Sequence, residues 1–214
     1  TKLFEQLGFN VFARHQSKPL TWYKQGNIHF LVNGEEFGFA AEFAKQHGPC
    51  ACAMGFKSKD AFKAHSHALS QQAKPCKHKM LEFQLPALYG VGNSVLYLVD
   101  EAGRNKLYRD HFDLETLEDK AVNHVGLTYI DHLTHNVRRG HMDQWAEFYE
   151  RVFNFREIRH FDIKGQLTGL VSRAMTSPCG KLRIPINEGT DDQSQIEEFL
   201  TEYHGEGIQH IALA

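Results

Sequence analysis

The sequence predicts an α+β protein built from repeated βαβββ modules. The order strand, helix, strand, strand, strand recurs along the chain, with turn residues between the elements. A junction of helix, stop residue and strand occurs twice, as Leu7-Gly8-Phe9 and Phe153-Asn154-Phe155. Two predicted strands also share the pattern isoleucine, any residue, histidine, aliphatic residue, at 130–133 and 208–211. Modules of this size pack in pairs, because one module alone cannot bury both faces of its sheet.

The first repeat lacks its opening strand. Its predicted elements are a helix at 1–7, strands at 9–15, 20–25 and 28–33, and a helical or irregular segment at 35–47. Gly8 ends the first helix, and Gly48-Pro49 breaks the last segment. Asn33-Gly34 is a pair typical of a hairpin turn.

The second repeat is predicted to run to residue 100. Its elements are strands at 50–57, 74–77, 80–85 and 94–99, and a helix at 61–73 for which residues 58–60 supply a cap. Residues 101–123 are polar and show no helical period, so they are predicted to be an irregular linker between two domains, 1–100 and 124–214.

The third repeat contains the most clearly amphipathic helix of the chain. Its elements are strands at 126–137, 155–161, 167–174 and 181–185, and helices at 141–153 and 194–203. A fourth repeat stops after its first strand, at 207–214. Asn154 is placed to end the long helix, since asparagine tolerates a positive φ.

Composition excludes several classes of protein. The 214 residues are 42% hydrophobic and 23% charged, with a formal net charge of −2, which is ordinary for a soluble globular chain. Such a charge offers no basic surface for nucleic acid or anionic membrane, and no apolar run is long enough to span a bilayer. The four cysteines, without a secretory signal, favour free thiols and a cytoplasmic location.

Histidines 132 and 210 occupy the same place in two similar strands. That repetition suggests two halves of a metal site, because imidazole is a common metal ligand. The alternative is that each histidine is a buried, hydrogen-bonded strand residue. A zinc site from Cys50, Cys52, His65 and His67 is disfavoured, since residues two apart on a helix do not converge.

Eight sequence motifs resemble one enzyme family. They are Arg14-His15-Gln16-Ser17-Lys18, Tyr23-Lys24-Gln25-Gly26, His47-Gly48-Pro49, Ile130-Asp131-His132-Leu133-Thr134-His135-Asn136-Val137, Phe148-Tyr149-Glu150, Phe155-Arg156-Glu157-Ile158-Arg159, Arg183-Ile184-Pro185-Ile186-Asn187-Glu188 and Gly205-Glu206-Gly207-Ile208-Gln209-His210. The repeat resembles the vicinal oxygen chelate, or glyoxalase-like, fold. More narrowly, the chain resembles the bacterial 4-hydroxyphenylpyruvate dioxygenases. That fold implies two open β-barrel sub-domains, the second of them incomplete here.

The resemblance also implies roles for particular residues. His132 and His210 match the family's two histidine ligands of Fe(II). The positions that match its substrate pocket are Ser172, Pro185, Asn187, Gln195 and Gln209. From the residues alone, Asn187 is more simply a turn residue after a strand, and Gln195 a solvated residue in a first helical turn. Gln209 neighbours His210, so in a flat strand it would face the other way.

The implied activity is the conversion of 4-hydroxyphenylpyruvate and O2 to homogentisate and CO2, in the breakdown of tyrosine and phenylalanine. Two histidines and one carboxylate leave open positions on Fe(II) for a 2-oxo acid and O2. Amide side chains such as Asn187 suit a neutral phenol, because they both donate and accept hydrogen bonds. The resemblance implies a small-molecule substrate and a homo-oligomer, with no nucleic-acid or membrane partner.

One departure from the family concerns the third ligand, a glutamate near the family's C-terminus. The chain ends at Ala214, and neither Glu188 nor Glu206 matches that motif. The chain also starts inside the first repeat. We therefore expect a truncated copy, in which these 214 residues alone bind Fe(II) poorly and turn over no substrate. Two alternatives stay open: a hydroxymandelate synthase-like dioxygenase, and a metal-free binding or scaffold protein of the same fold.

Overall fold

The computed structural model describes residues 2–77, 85–114, 125–164 and 169–214. The helices are α1 Lys2–Gln6, α2 Phe39–His47, α3 Ala61–Ser70, α4 Glu101–His111, α5 Met142–Phe153 and α6 Gln195–Glu202. The strands are β1 Asn10–His15, β2 Leu20–Gln25, β3 Ile28–Asn33, β4 Ala53–Lys57, β5 Ala87–Tyr89, β6 Val95–Val99, β7 Phe112–Leu114, β8 Ile130–Val137, β9 Arg156–Lys164, β10 Gly169–Thr176, β11 Arg183–Gly189 and β12 Gly207–Leu213.

The βαβββ module is clearest in the C-terminal part of the chain. Strands β8, β9, β10 and β11 lie in one sheet with β12, in the order β12-β8-β11-β10-β9. Strands β8 and β11 pair in parallel, as the crossover through α5 requires, and the other pairs in this sheet are antiparallel. The second repeat has the same arrangement, since β4 pairs in parallel with β6, and β5 lies on the far side of β6.

Helix α5 joins these two modules. Its amphipathic pattern buries Ala146, Tyr149 and Val152, and α3 packs against it. The main apolar core therefore runs continuously from Met54 and Phe56 of the second repeat to Ile184 and Ile186 of the third. Asn154 ends α5 in the left-handed conformation, at φ 55° and ψ 34°, as predicted.

The first sheet has the order β3-β2-β1-β7. Strands β2 and β3 lie where the alternating pattern predicts them. The turn between them falls at Gly26, whereas Asn33-Gly34 leads toward α2, so the hairpin predicted at that pair is wrong. Residue Asn187 is likewise not a turn residue, because it lies inside β11.

The prediction that 101–123 is irregular is wrong for its first part. Helix α4 begins after Asp100, whose carboxylate accepts from the amide of Gly103, and β7 then pairs with β1. Leu107 of α4 packs beside Trp22 and Phe112, which attaches the segment to the first sheet. Tertiary packing overrides the polar composition here, since Leu107 and the ring of Tyr108, 4.0 Å from that of Trp22, hold the helix against the first sheet.

Other differences are small. The predicted strand at 80–85 lies, except for its last residue, outside the described residues. The short strand β5 was not expected from the sequence, and residues 74–77 form only one isolated bridge, from Pro75 to Leu88. None of the described sheets closes into a barrel. None of the helices in the described ranges combines the length and the apolarity that crossing a membrane takes.

Candidate metal centre

The two faces of the five-stranded sheet have different roles. Helix α5 packs on one face, where His135, Met175 and Ile186 are buried. Side chains alternate along a strand, so the next residues point to the opposite face. His132, Thr134 and Asn136 of β8 therefore share that opposite face, which we call the site face.

The imidazoles of His132 and His210 meet on the site face. Their Nε2 atoms lie 3.1 Å apart, although the residues are 78 positions apart in the chain. Two nitrogens bound at about 2.1 Å to one metal ion, at a right angle, lie about 3 Å apart. The convergence expected from the repeated motif is thus observed, while the metal itself stays a prediction.

A β-bulge precedes each of the two histidines. On β12, Ile208 is opposite His135 and His210 is opposite Thr134, so Gln209 is the extra residue. If Gln209 instead paired with Thr134 in a regular ladder, His210 would be opposite Leu133 and would face the core. On β8, Ala212 is opposite His132 and Leu213 is opposite Ile130, so Asp131 is the extra residue. The expectation that Gln209 and His210 face opposite ways is therefore wrong, because it assumed a flat strand.

Each extra residue contacts the ring of the histidine that follows it. His132 Nδ1 lies 2.8 Å from a carboxylate oxygen of Asp131, and His210 Nδ1 contacts the amide oxygen of Gln209. A carboxylate can only accept, so His132 Nδ1 carries the hydrogen and its Nε2 keeps a free lone pair. The same orientation follows for His210 from the amide oxygen of Gln209.

Asp131 is held from a second side by Arg183 of β11, which donates to its other carboxylate oxygen. The hydrogen bond from His132, together with the charge of Arg183, lowers the pKa of Asp131. The carboxylate is therefore ionised at neutral pH. An anion beside Nδ1 makes the opposite ring nitrogen a better donor to a cation.

His210 has a different neighbour at its Nε2. The hydroxyl of buried Thr134 lies 3.0 Å from this atom, within hydrogen-bond range. Burial is the main cause, and His132 the second, of a lowered pKa for His210, which favours the neutral ring that a metal needs.

The donor set therefore fits a metal ion. With Nδ1 of each ring occupied by its own acceptor, the two Nε2 atoms, 3.1 Å apart, are the nitrogens left to bind one shared cation. Among the residues that the structure describes, no group of three His, Cys, Asp or Glu side chains is arranged to hold a metal. Glu188 and Glu206 are instead engaged with the start of α5, as acceptors from Met142 N and Trp145 Nε1.

Three of the predicted pocket residues extend the site face across the sheet. Ser172 of β10 is opposite Asn187 of β11, and Asn187 is opposite Asn136 of β8. The amide of Asn187 donates to Asn136 at 3.3 Å. Pro185 lies two residues before Asn187 on the same strand and so shares its face. Asn136, buried beside the pair, is a polar site-face residue that the sequence reasoning missed; its spacing of four from His132 on one strand could have identified it.

Gln195 is different. It is the exposed first residue of α6, which Ser194 caps by accepting from Glu197 N at 3.3 Å. Within the described ranges no hydrogen bond joins Gln195 to the site face. Its place in a substrate pocket stays a prediction.

The βαβββ module with parallel first and last strands defines the class of protein. The fold is that of the vicinal oxygen chelate, or glyoxalase-like, proteins, and the model of the Glyoxalase/Bleomycin resistance protein/Dioxygenase superfamily matches residues 129–214. The model of the N-terminal part of hydroxyphenylpyruvate dioxygenase matches residues 1–115. The chain belongs to the hydroxyphenylpyruvate dioxygenase family.

Individual relatives agree with this family. A 4-hydroxyphenylpyruvate dioxygenase from Pseudomonas aeruginosa is 56% identical over 99% of this chain, and a Vibrio vulnificus protein called hemolysin VllY is 56% identical over the same share. The chain spans 60% of the length of each. A solved fusion of a xylose isomerase-like TIM barrel with a 4-hydroxyphenylpyruvate dioxygenase superposes with a TM-score of 0.79, at 31% identity, over 98% of this chain and 33% of its own.

Proposed function

We propose that the protein to which this chain belongs is an Fe(II)-dependent 4-hydroxyphenylpyruvate dioxygenase that forms homogentisate and CO2. The observation that carries the proposal is the 3.1 Å approach of His132 and His210, with both lone pairs directed at one point. The family membership and the name of the Pseudomonas relative support the substrate. The vicinal oxygen chelate superfamily is one of metalloenzymes, which supports the metal.

In this proposal the chain supplies two ligands and part of a pocket. His132 and His210 hold the metal, and a carboxylate from outside these 214 residues completes the site. Fe(II) held by these residues would supply the coordination of the 2-oxo acid and the activation of O2. Asp131 fixes the ring of His132, and Thr134 contacts the ring of His210.

The site-face row binds the aromatic end of the substrate. The hydroxyl of Ser172 and the amide of Asn187 both donate and accept, so they match a neutral phenol. Pro185 is proposed as an apolar wall, and Gln195 and Gln209 as further pocket residues. Ser172 is buried and Pro185 and Asn187 are half-buried, so a substrate bound over them would shield the reacting groups from water. A role in tyrosine breakdown, a cytoplasmic location and a homo-oligomeric state are part of the same proposal.

Homogentisate formation by the full-length protein, with added Fe(II) and ascorbate, tests the proposal. His132→Ala and His210→Ala should each abolish turnover, while the exposed His67→Ala serves as the control and should keep it. Retained activity in either site variant would contradict the ligand assignment. Formation of 4-hydroxymandelate in place of homogentisate would contradict the proposed product, and binding without any turnover would favour a scaffold role.

A further inference from the structure

Strands β8 and β12 are related by a local twofold symmetry. The central pair is Leu133 opposite Ile211, and each residue of β8 corresponds to the residue 78 positions later. Thus the pair of Ile208 with His135 corresponds to the pair of Ile130 with Leu213. The symmetry extends to the strand ends, where Tyr129 and Ala214 exchange both backbone hydrogen bonds.

The symmetry places the two bulges at equivalent positions. Asp131 corresponds to Gln209, and each is the unpaired residue immediately before a histidine. A bulge turns two consecutive side chains toward the same side of the sheet. This is why each of these side chains reaches the Nδ1 atom of its own neighbour, which adjacent residues of a flat strand cannot do.

We propose that Asp131 and Gln209 are a matched pair of positioning residues, each of which holds its histidine in the tautomer that directs a bare Nε2 at the metal. This inference rests on the proposed metal site. It gives Gln209 a second role, in addition to the pocket role that the resemblance implies. The two roles are compatible, because the amide oxygen accepts from the histidine while the amide NH2 group is left to donate to a substrate.

The two halves of the pair differ in charge. Asp131 is an anion that Arg183 orients, whereas Gln209 offers only a neutral amide dipole. Charge-assisted hydrogen bonds are about twice as strong as neutral ones. His132 is therefore held more firmly than His210, and loss of Asp131 should affect metal binding more than loss of Gln209.

The tautomers can be measured without any metal or substrate. Long-range ¹H–¹⁵N NMR of the histidine rings in the 214-residue chain, at a pH where both rings are neutral, should show Nδ1–H and an unprotonated Nε2 for both residues. Asp131→Leu and Gln209→Met replace the acceptors by apolar groups of similar size. Each should shift its own histidine toward the Nε2–H form and leave the other histidine unchanged.

Co²⁺ titration of the same variants in the full-length protein gives the second measurement. Partners of this kind typically contribute 10- to 100-fold to metal affinity, so we expect a loss of about that size for Asp131→Leu and a smaller one for Gln209→Met. Asp131→Asn keeps an acceptor and should keep the tautomer. Asp192→Leu, which removes a carboxylate 92% exposed at its side chain, is the matched control and should change neither reading.

The outcomes separate the two proposals. Unchanged tautomers and affinities in Asp131→Leu and Gln209→Met would overturn the positioning role. If Asp131→Leu fails to fold, Asp131→Asn and Gln209→Met still decide the question, because a changed tautomer in Asp131→Asn would contradict it. Full-length protein with both rings in the Nδ1–H form but no Co²⁺ affinity would support the positioning role and count against the proposed metal site.

Discussion

The hydroxyl of Tyr149 on α5 and Nε2 of His135 on β8 share a hydrogen bond of 2.8 Å. Both side chains are fully buried, so this contact is a buried polar link between the long helix and the strand that carries His132. His135 lies on the core face of β8, directly behind the site face. The position of the histidine pair therefore depends on how α5 packs against the sheet.

Removing this link should destabilise the fold. In Tyr149→Phe the Nε2 atom of His135 stays buried without its partner, so we expect the free energy of unfolding to fall by about 1–3 kcal/mol. Urea denaturation measures it. Tyr129→Phe, at a tyrosine that is 48% exposed, should change stability by less than about 0.5 kcal/mol. Equal effects of the two substitutions would contradict the assignment.

Stability should decrease in mild acid. Burial lowers the pKa of His135 from 6.5 to about 4, and burial together with Lys24 and Arg104 lowers that of His29 to about 4. Between pH 6.5 and pH 4 these rings bind protons in the unfolded chain but not in the folded one. The contribution of these two rings to the free energy of unfolding is therefore complete above pH 6.5. It is lost progressively as the pH falls toward 4.

The slope of the free energy of unfolding against pH, taken near pH 5, gives the number of protons taken up on unfolding. His29→Asn should reduce the uptake by about one proton, because it removes one of the two groups. A free energy of unfolding that stays constant between pH 6.5 and pH 4 would contradict the prediction.

Glu206 should be a major contact between β12 and the start of α5. Its side chain, 10% exposed, accepts from Arg138 N at 2.9 Å, from His141 Nδ1 at 2.5 Å and from Trp145 Nε1 at 3.0 Å. Glu206→Ala leaves these donors unpaired, so we expect a loss of about 2–3 kcal/mol. Urea denaturation measures this loss of stability, and the exposed Glu202→Ala is the control. A loss no larger than the control's would show that the contact contributes little.

Gly92 should tolerate no side chain. It has φ +60°, and a Cβ atom there would lie 1.9 Å from the carbonyl oxygen of Glu206. Gly180 has a similar φ of +71° but open space around it. Gly180→Ala should therefore cost only the backbone strain, about 1–2 kcal/mol, and Gly92→Ala clearly more. Thermal unfolding compares them, and a smaller loss for Gly92→Ala would contradict the close approach.

The sequence predicts regular elements well where one face is buried. Strands β2 and β3 and helix α5 follow from alternation and from an apolar stripe, because burial of one face enforces these periods. Helix α4 escaped prediction, since its single buried leucine gives no periodic signal. Its cap at Asp100, with Gly103 three residues later, was a usable sign.

The site was predictable in its residues but not in its geometry. The repeated motif and the resemblance identified His132 and His210. The side on which Gln209 lies could not be read from the pattern, because a bulge leaves no fixed residue signature and depends on pairing with a distant strand. Asn187 likewise lies inside a strand whose extent is set by its neighbours β8 and β10.

The bulge at Gln209 lets β12 contain one residue more than its pairing with β8 uses. In a regular ladder one inserted residue would exchange the faces of everything that follows, but here the bulge absorbs it, and Ile208 and Ile211 both stay on the core face. Deleting Gln209 would therefore leave His210 opposite Thr134, still on the site face, and would remove only the amide beside its Nδ1. The length of this segment can thus change by one residue without moving the histidine. In an alignment of related chains, a one-residue gap at this position would identify a chain whose second histidine lacks this neighbouring acceptor.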